Sequence, residues 1–198
     1  AGNYDESVQE AARLAAAHGW QVIADTSYDG YEDIPRDVMQ GYGAIAEEIV
    51  EQTSAQRGRA GAFTHVFLQG GVGGMAAGLA SYFWEYHGPQ RPCVISVEPA
   101  QADCLLQSAI QGRPAKATGT VDAVMAGLAC GETSPLAWRF LQPCVDAVMT
   151  IEDEQAIEAM RTLAQGSERD TPIVAGESGV AGLAALEWLR SDPQRSEQ

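Results

Sequence analysis

Lysine is almost missing from this chain of 198 residues: of its 12 basic side chains only Lys116 is a lysine. Chemistry that requires a lysine amine therefore has a single candidate. Basic residues as a class are few, 12 against 27 acidic ones, and the formal charge of -15 opposes binding to phosphate backbones and anionic membrane surfaces. No nucleic-acid partner is expected. The chain has no apolar run of the roughly 18 residues that a spanning helix needs, so no membrane partner is expected either. The opening AGNYDESVQE lacks the basic and apolar regions of a signal peptide, and a cytoplasmic home is expected. Cysteine is sparse: Cys93, Cys104, Cys130 and Cys144 form no CxxC pair, which argues against a zinc site or a disulfide scaffold and for buried thiols. His18, His65 and His87 have no spacing for metal or triad chemistry and read as structural or surface residues. What remains is a folded composition, 45% apolar and 20% charged, long enough for one large domain or two small ones.

The opening segment reads as a helix capped near Asn3 or Asp5, with Ala12, Leu14, Ala15 and Ala16 on its buried side. A short strand is expected over residues 21–24, ending at Asp25. The stretch DTSYDGYEDIP (25–35) is rich in turn formers and reads as an exposed loop before an amphipathic helix over 39–56, broken across 57–61. From there the pattern alternates: strand 65–69, glycine loop, helix 75–86, strand 93–97, helix 102–111. The strands carry Val66, Phe67, Leu68 and Val94, Ile95, Val97 with little polar alternation, as in parallel strands covered on both faces. An α/β fold is expected, a doubly wound, mostly parallel sheet in three layers. Residues 112–130 read as a long loop, followed by a helix 136–141, a strand 147–151, helices 152–165 and 180–190, and a polar tail.

The strongest local signal is Gln69-Gly70-Gly71-Val72-Gly73-Gly74, between a buried strand and a helix. Four glycines in five positions leave backbone amides unshielded, and the helix start adds partial positive charge, so a phosphate is the natural ligand. Gly71, Gly73 and Ala76 also satisfy the GxGxxG/A spacing of a dinucleotide site, with Glu98 placed where such folds hold a ribose. No lysine follows the glycines, which excludes a P-loop.

The run HVFLQGGVGGMAAGLA, then VISVEPAQADCLLQSAIQG, TVDAVMAGLACGE and VAGESGVAGLAAL, together with NYDES, DTSYDGYEDIP and VMQGY, resembles the fold type II pyridoxal-phosphate enzymes related to threonine deaminase and serine racemase. Within them it is most similar to the diaminopropionate ammonia-lyase family. The resemblance covers nearly the whole chain and implies a tryptophan synthase β-like fold. It implies β-elimination of 2,3-diaminopropionate to pyruvate and ammonia, a small amino-acid substrate and a homodimer. Gly70, Gly71, Val72, Gly73 and Gly74 would hold the phosphate of pyridoxal phosphate, and Asp25 would bind the substrate amine or accept a proton. Glu177 and Ser178 would line the cofactor ring, with a helix cap as the competing role for Ser178.

The resemblance also implies a cross-linked Cys104 and Cys130, against which a reducing compartment argues, and a cation at Glu98, Ala102 and Asp103, for which a strand end and helix cap is the simpler reading. The family's cofactor-binding lysine belongs to a part of the fold that would precede Ala1, and Lys116, in the stretch RPAKATG, is a poor substitute. The group that contacts the pyridine nitrogen would follow Gln198. The chain is therefore expected to be part of a longer enzyme and inactive alone, with residues 1–60 a remnant of a small domain and linker and 61–198 a partial cofactor-phosphate-binding domain. The alternative is a phosphate- or dinucleotide-binding α/β module without chemistry of its own.

Overall fold

The computed structural model describes residues 4–57 and 63–191. The expected cap at Asn3, the break at 58–61 and the tail beyond Ser191 lie outside the described residues. Three parallel strands, β1 (His65–Gln69), β2 (Cys93–Pro99) and β3 (Ala147–Ile151), form one sheet in the order β1-β2-β3. Val66 is in register with Val94, Gln69 with Val97, and Ile95 with Ala147. Side-chain alternation along the strands divides the core in two. Leu68 and Val94 face one cluster, built with α4 (Gly74–His87) and α6 (Pro135–Cys144); Ile95, Val97 and Ile151 face the other, closed by α7 (Asp153–Gln165) and α8 (Ala181–Arg190). Helices therefore cover both faces, the expected three layers. The strand order steps in one direction; Met125 and Leu128 reach the second face ahead of β3, and its α-helices, α7 and α8, follow β3.

Ahead of the sheet lie α1 (Tyr4–His18), α2 (Asp33–Gly41) and α3 (Gly43–Arg57). On α1, Ala15 is buried and Ala12 and Leu14 half-buried, whereas Ala16 is exposed. The segment expected as one helix over 39–56 is two. Helix α2 already starts at Asp33, and the chain turns at Tyr42 between Gly41 and Gly43. Met39, Ala46 and Val50 then join the same core as Phe83 and Leu68. The absence of a side chain at Gly78 lets the α2 backbone at Met39 lie directly on α4, a contact that hydropathy alone does not encode.

The strand expected over 21–24 does not form. A strand exists only with a partner for its amides and carbonyls, and here one phenol takes that role: the Tyr31 hydroxyl donates to the Val22 carbonyl (2.9 Å) and accepts from the Ala24 amide (3.0 Å). Tyr31 is delivered by a two-residue turn, Asp29-Gly30, whose flanking Tyr28 and Tyr31 exchange backbone hydrogen bonds and stack at 4.8 Å. Helix α5 (Cys104–Gln111) and a single short turn at Ala126–Leu128 bracket the long loop expected there.

Candidate functional site

The carboxyl ends of β1 and β2 open onto the glycine loop. The Gly70 amide donates to the Val97 carbonyl at 2.6 Å, carrying the ladder one step past β1. Among the described residues, the amides of Gly71, Val72 and Gly73 make no hydrogen bond within the protein. Gly73 adopts φ +100, the left-handed region, and precedes α4 without a side-chain cap or an acidic residue in the first turn. The positive end of a 14-residue helix is thus left uncompensated beside three unused donors, the arrangement that receives an anion. The missing side chains also serve packing. A Cβ on Gly73 would fall 2.8 Å from Leu141 Cδ1, and one on Gly70 2.8 Å from the buried Ser96 Oγ.

Asp25 is half-buried, and its carbonyl lies 3.7 Å from where a Cβ on Gly74 would stand. The structure therefore brings Asp25 to the start of α4. Thr26 Oγ1 donates to its carboxylate at 3.2 Å. Two residues on, Ser27 accepts from the Leu136 amide and pairs with the Ser134 hydroxyl, while the Ser134 amide donates to the Val72 carbonyl.

The Glu177-Ser178-Gly179 turn reaches the same place from the opposite face. Gln69 Nε2 donates to the Gly179 carbonyl at 2.8 Å, and Ser178 Oγ accepts from the Gly127 amide at 3.0 Å. Gly127 in turn lies against Gly71, its carbonyl 3.3 Å from a Cβ built there. Helix α8 starts after Val180 with no side-chain cap, so Ser178 is a tie between loops and not a helix cap. Glu177 is half-buried in this turn.

Glu98 is fully buried, and its two carboxylate oxygens accept from the Leu105 and Leu106 amides at 3.0 and 2.7 Å. It caps α5 from the preceding strand and offers no acceptor to a ribose, which removes the dinucleotide reading's key contact. Burial pushes its carboxyl up to about 8, against the opposing pull of the two amides. Asp103 accepts from the Thr118 amide and hydroxyl and from Gln107, and so holds the long loop. No disulfide joins any of the four cysteines. The Cys104 thiol points to the Gly71 carbonyl at 3.4 Å, and burial pushes it up to about 12. Cys130 Sγ would stand 3.3 Å from a Cβ on Gly71. The cross-link implied by the resemblance is thus replaced by two thiols flanking the loop.

Lys116 lies outside this cluster. It is exposed, ion-paired with Glu132 and bridged to it through the backbone. Both line a cavity of about 750 Å³ between α1, Thr26–Asp29 and Arg113–Lys116, which does not include the glycine loop. The three histidines engage in local contacts: His18 stacks on Trp20, His65 bonds Thr64, and His87 packs with Phe83.

Sequence reasoning missed Gly127, Ser27 and Ser134, and it named Gln69 at the head of the glycine segment without its tie to Gly179. Ser134 carried a signal, a serine before the proline that opens α6. Ser27 carried none, because its partners lie more than a hundred residues away.

The family model "Pyridoxal-phosphate dependent enzyme" matches residues 1–197. Diaminopropionate ammonia-lyase of Escherichia coli strain K12 is 41% identical over 193 residues, 98% of this chain and 48% of that protein. The crystal structure of the holo enzyme from Escherichia coli superimposes with a TM-score of 0.88 at 40% identity, over 98% of this chain and 48% of that one. The T.th. threonine deaminase gives 0.74 at 25% identity, over 91% and 59%. The chain spans about half the length of the curated diaminopropionate ammonia-lyases it matches. A match that runs through every segment gathered around the open end of α4 leaves one assignment: the chain belongs to the pyridoxal-phosphate dependent enzyme family.

Proposed function

We propose that this chain is the phosphate-holding part of a pyridoxal-phosphate dependent ammonia-lyase that eliminates ammonia from 2,3-diaminopropionate, with pyruvate as the carbon product. The single observation that carries this reading is the cluster of unpartnered amides at Gly71, Val72 and Gly73 before the uncapped start of α4. A phosphate dianion fits that environment: it needs several donors and a positive dipole end and no counter-cation. Gly70 and Gly74 shape the loop on either side. Pyridoxal phosphate, when bound, supplies a sink for the electron pair released at the substrate Cα.

In this reading the chain's own residues position and move protons. Asp25, beside Gly74, binds the substrate amine or accepts a proton. Glu177 and Ser178, tied through Gln69 and Gly127 to the same loop, line the ring side of the site. Lys116 stays in its surface ion pair, so the 198 residues bind phosphate without turning over. Residues 61–198 carry the phosphate site; the part of residues 1–60 that forms α2 and α3 shares their core through Met39, Ala46 and Val50, which supports a linker packed on that domain more than a separate one. The enzyme acts as a homodimer on a small amino acid in the cytoplasm; no described helix is long and apolar enough to cross a membrane.

Titration of the 198-residue protein tests this. Pyridoxal phosphate and inorganic phosphate are expected to compete for one site, without a borohydride-trappable adduct and without pyruvate from diaminopropionate. Saturable NAD binding, or robust pyruvate formation by the pure 198-residue chain, would overturn the reading.

A further inference from the structure

We propose that Ser27 and Ser134 are positioning residues: their hydroxyl pair clamps the Asp25 segment to the same helix terminus that anchors the glycine loop. The inference rests on the phosphate-site reading given above, and the experiment below separates the failure of one from the failure of the other.

Both serines are buried, at 3% and 0% exposure, where a hydroxyl without partners is costly and a paired one is stiffly held. Ser134 stands at the N-cap position of α6, followed by Pro135, yet its side chain makes no cap bond to that helix. The cap comes from elsewhere. Ser27 Oγ accepts the Leu136 amide at 2.8 Å, the bond that a capping serine ordinarily supplies from its own helix. Ser134 Oγ is thereby released to accept the Ser27 amide at 3.1 Å, and the two hydroxyl oxygens lie 2.8 Å apart.

Through its own amide, Ser134 also donates to the Val72 carbonyl at 2.9 Å. Val72 is the middle of the three residues whose amides are left without a partner in the protein. Its carbonyl bond fixes the peptide plane that it shares with the Gly73 amide. One helix terminus therefore orients the glycine loop by a backbone bond and the Asp25 segment by side-chain bonds. The two halves of the site are referenced to a common origin, α6. Upstream of Asp25 the ties at Val22 and Ala24 run to Tyr31 within the same segment, whereas the serine pair links this stretch to the sheet-bearing body.

The clasp has a consequence distinct from fold stability. Removing the Ser27 hydroxyl leaves the Ser134 amide bond to Val72 in place, so phosphate binding should persist, while the Asp25 segment keeps only the Ser27 amide bond to Ser134 Oγ and its coupling to α6 weakens. The test is backbone NMR of the 198-residue protein during titration with inorganic phosphate, for wild type, Ser27→Ala, Ser134→Ala, Ser134→Thr and the double alanine variant. In wild type and Ser134→Thr, the Gly71–Gly73 amides and the Asp25 and Thr26 amides shift together. In Ser27→Ala the glycine amides still shift, with affinity within about twofold of wild type, whereas the Asp25 and Thr26 shifts fall to less than about half; amide exchange at Leu136 rises roughly tenfold, and at residues 26–28 by a smaller factor. Ser134→Ala removes the acceptor of the Ser27 amide but leaves the Leu136 amide on Ser27 Oγ, and gives a similar reduction; the double variant Ser27→Ala/Ser134→Ala loses the Asp25 and Thr26 response altogether.

An undiminished Asp25 and Thr26 response in both single alanine variants, or its retention in the double variant, overturns the proposal. So does a parallel loss of phosphate affinity, which would mark a merely structural role. If phosphate shifts no glycine-loop amide in wild type, the phosphate-site reading fails. The clasp is then judged on exchange alone: faster exchange at residues 26–28 in Ser27→Ala upholds it, and unchanged exchange overturns it.

Discussion

Two stretches of equal length approach the candidate site from different directions, residues 65–78 and residues 19–32. The first enters as β1, bonds along its length to β2, turns through the glycine loop and leaves as α4 against α6. The second has strand-like residues at 21–24 but no ladder, and leaves Trp20 and Ile23 at 63% and 78% exposure. It is shaped by a tyrosine hydroxyl and clamped by a serine pair. Hydrophobic residues alone do not make a strand. β1 forms because β2 lies beside it in register, whereas 21–24 has no such neighbour among the described residues. Backbone order in the first stretch is cooperative with the core; in the second it depends on a few side-chain hydrogen bonds.

The sharpest way to break the first region is Gly73→Ala. The added Cβ must adopt φ +100 and meet Leu141 Cδ1 at 2.8 Å, so a loss of about 3 kcal/mol is expected from strain and overpacking together. Urea denaturation measures it, and phosphate binding should disappear with it. An unchanged midpoint would mean that the loop is not held as described.

A smaller, pH-dependent effect is expected from Glu98, near the carboxyl end of β2 and bonded to the start of α5. Its carboxyl is pushed up to about 8 from an ordinary 4.5, chiefly by burial. The folded state thus holds this proton more tightly than the unfolded chain. The contribution of Glu98 to stability falls as pH rises from about 4.5 to about 8 and levels off above that. Denaturation midpoints of Glu98→Gln against wild type should diverge across that window and run parallel above it. Parallel curves throughout would show that Glu98 titrates normally.

The second region should yield less. Gly30 also has a left-handed φ, +78, but no atom lies within 4 Å of a Cβ built there. Gly30→Ala therefore keeps the backbone strain without the clash, and a cost of about 1 kcal/mol is expected. If it equals the cost of Gly73→Ala, the contrast between a walled and an open glycine is wrong. Least of all is expected from Lys116→Ala. Its ion pair with Glu132 is exposed at 76% and 52%, and such pairs contribute a few tenths of a kcal/mol. Phosphate affinity should not move; a marked loss would place Lys116 in the site after all.

The parts legible from sequence share one property. Strands 65–69 and 147–151 match the observed bounds, and the glycine loop stands where strand and helix signals meet, because period and punctuation are local. The division of residues 33–57 into two helices was hidden, since the turn at Tyr42 depends on α2 and α3 both packing on α4. Asp25 and Ser178 could be named only by resemblance; no spacing in the chain implies that Gly74, Gly127 and Gln69 bring them to the glycine loop.

By itself the sequence determined which segments bury themselves, that the strands run parallel, and that a set of bare amides opens a helix. Those outcomes follow from side-chain periodicity and from the missing Cβ of glycine, which act over a few residues. The tertiary structure alone decided that residues 21–24 stay unpaired, that Glu98 caps α5 instead of facing a ligand, and that Ser27 supplies the cap of a helix more than a hundred residues away. Each of these depends on a hydrogen-bond partner brought close by folding, and a buried polar group takes whichever partner the packed chain places within reach.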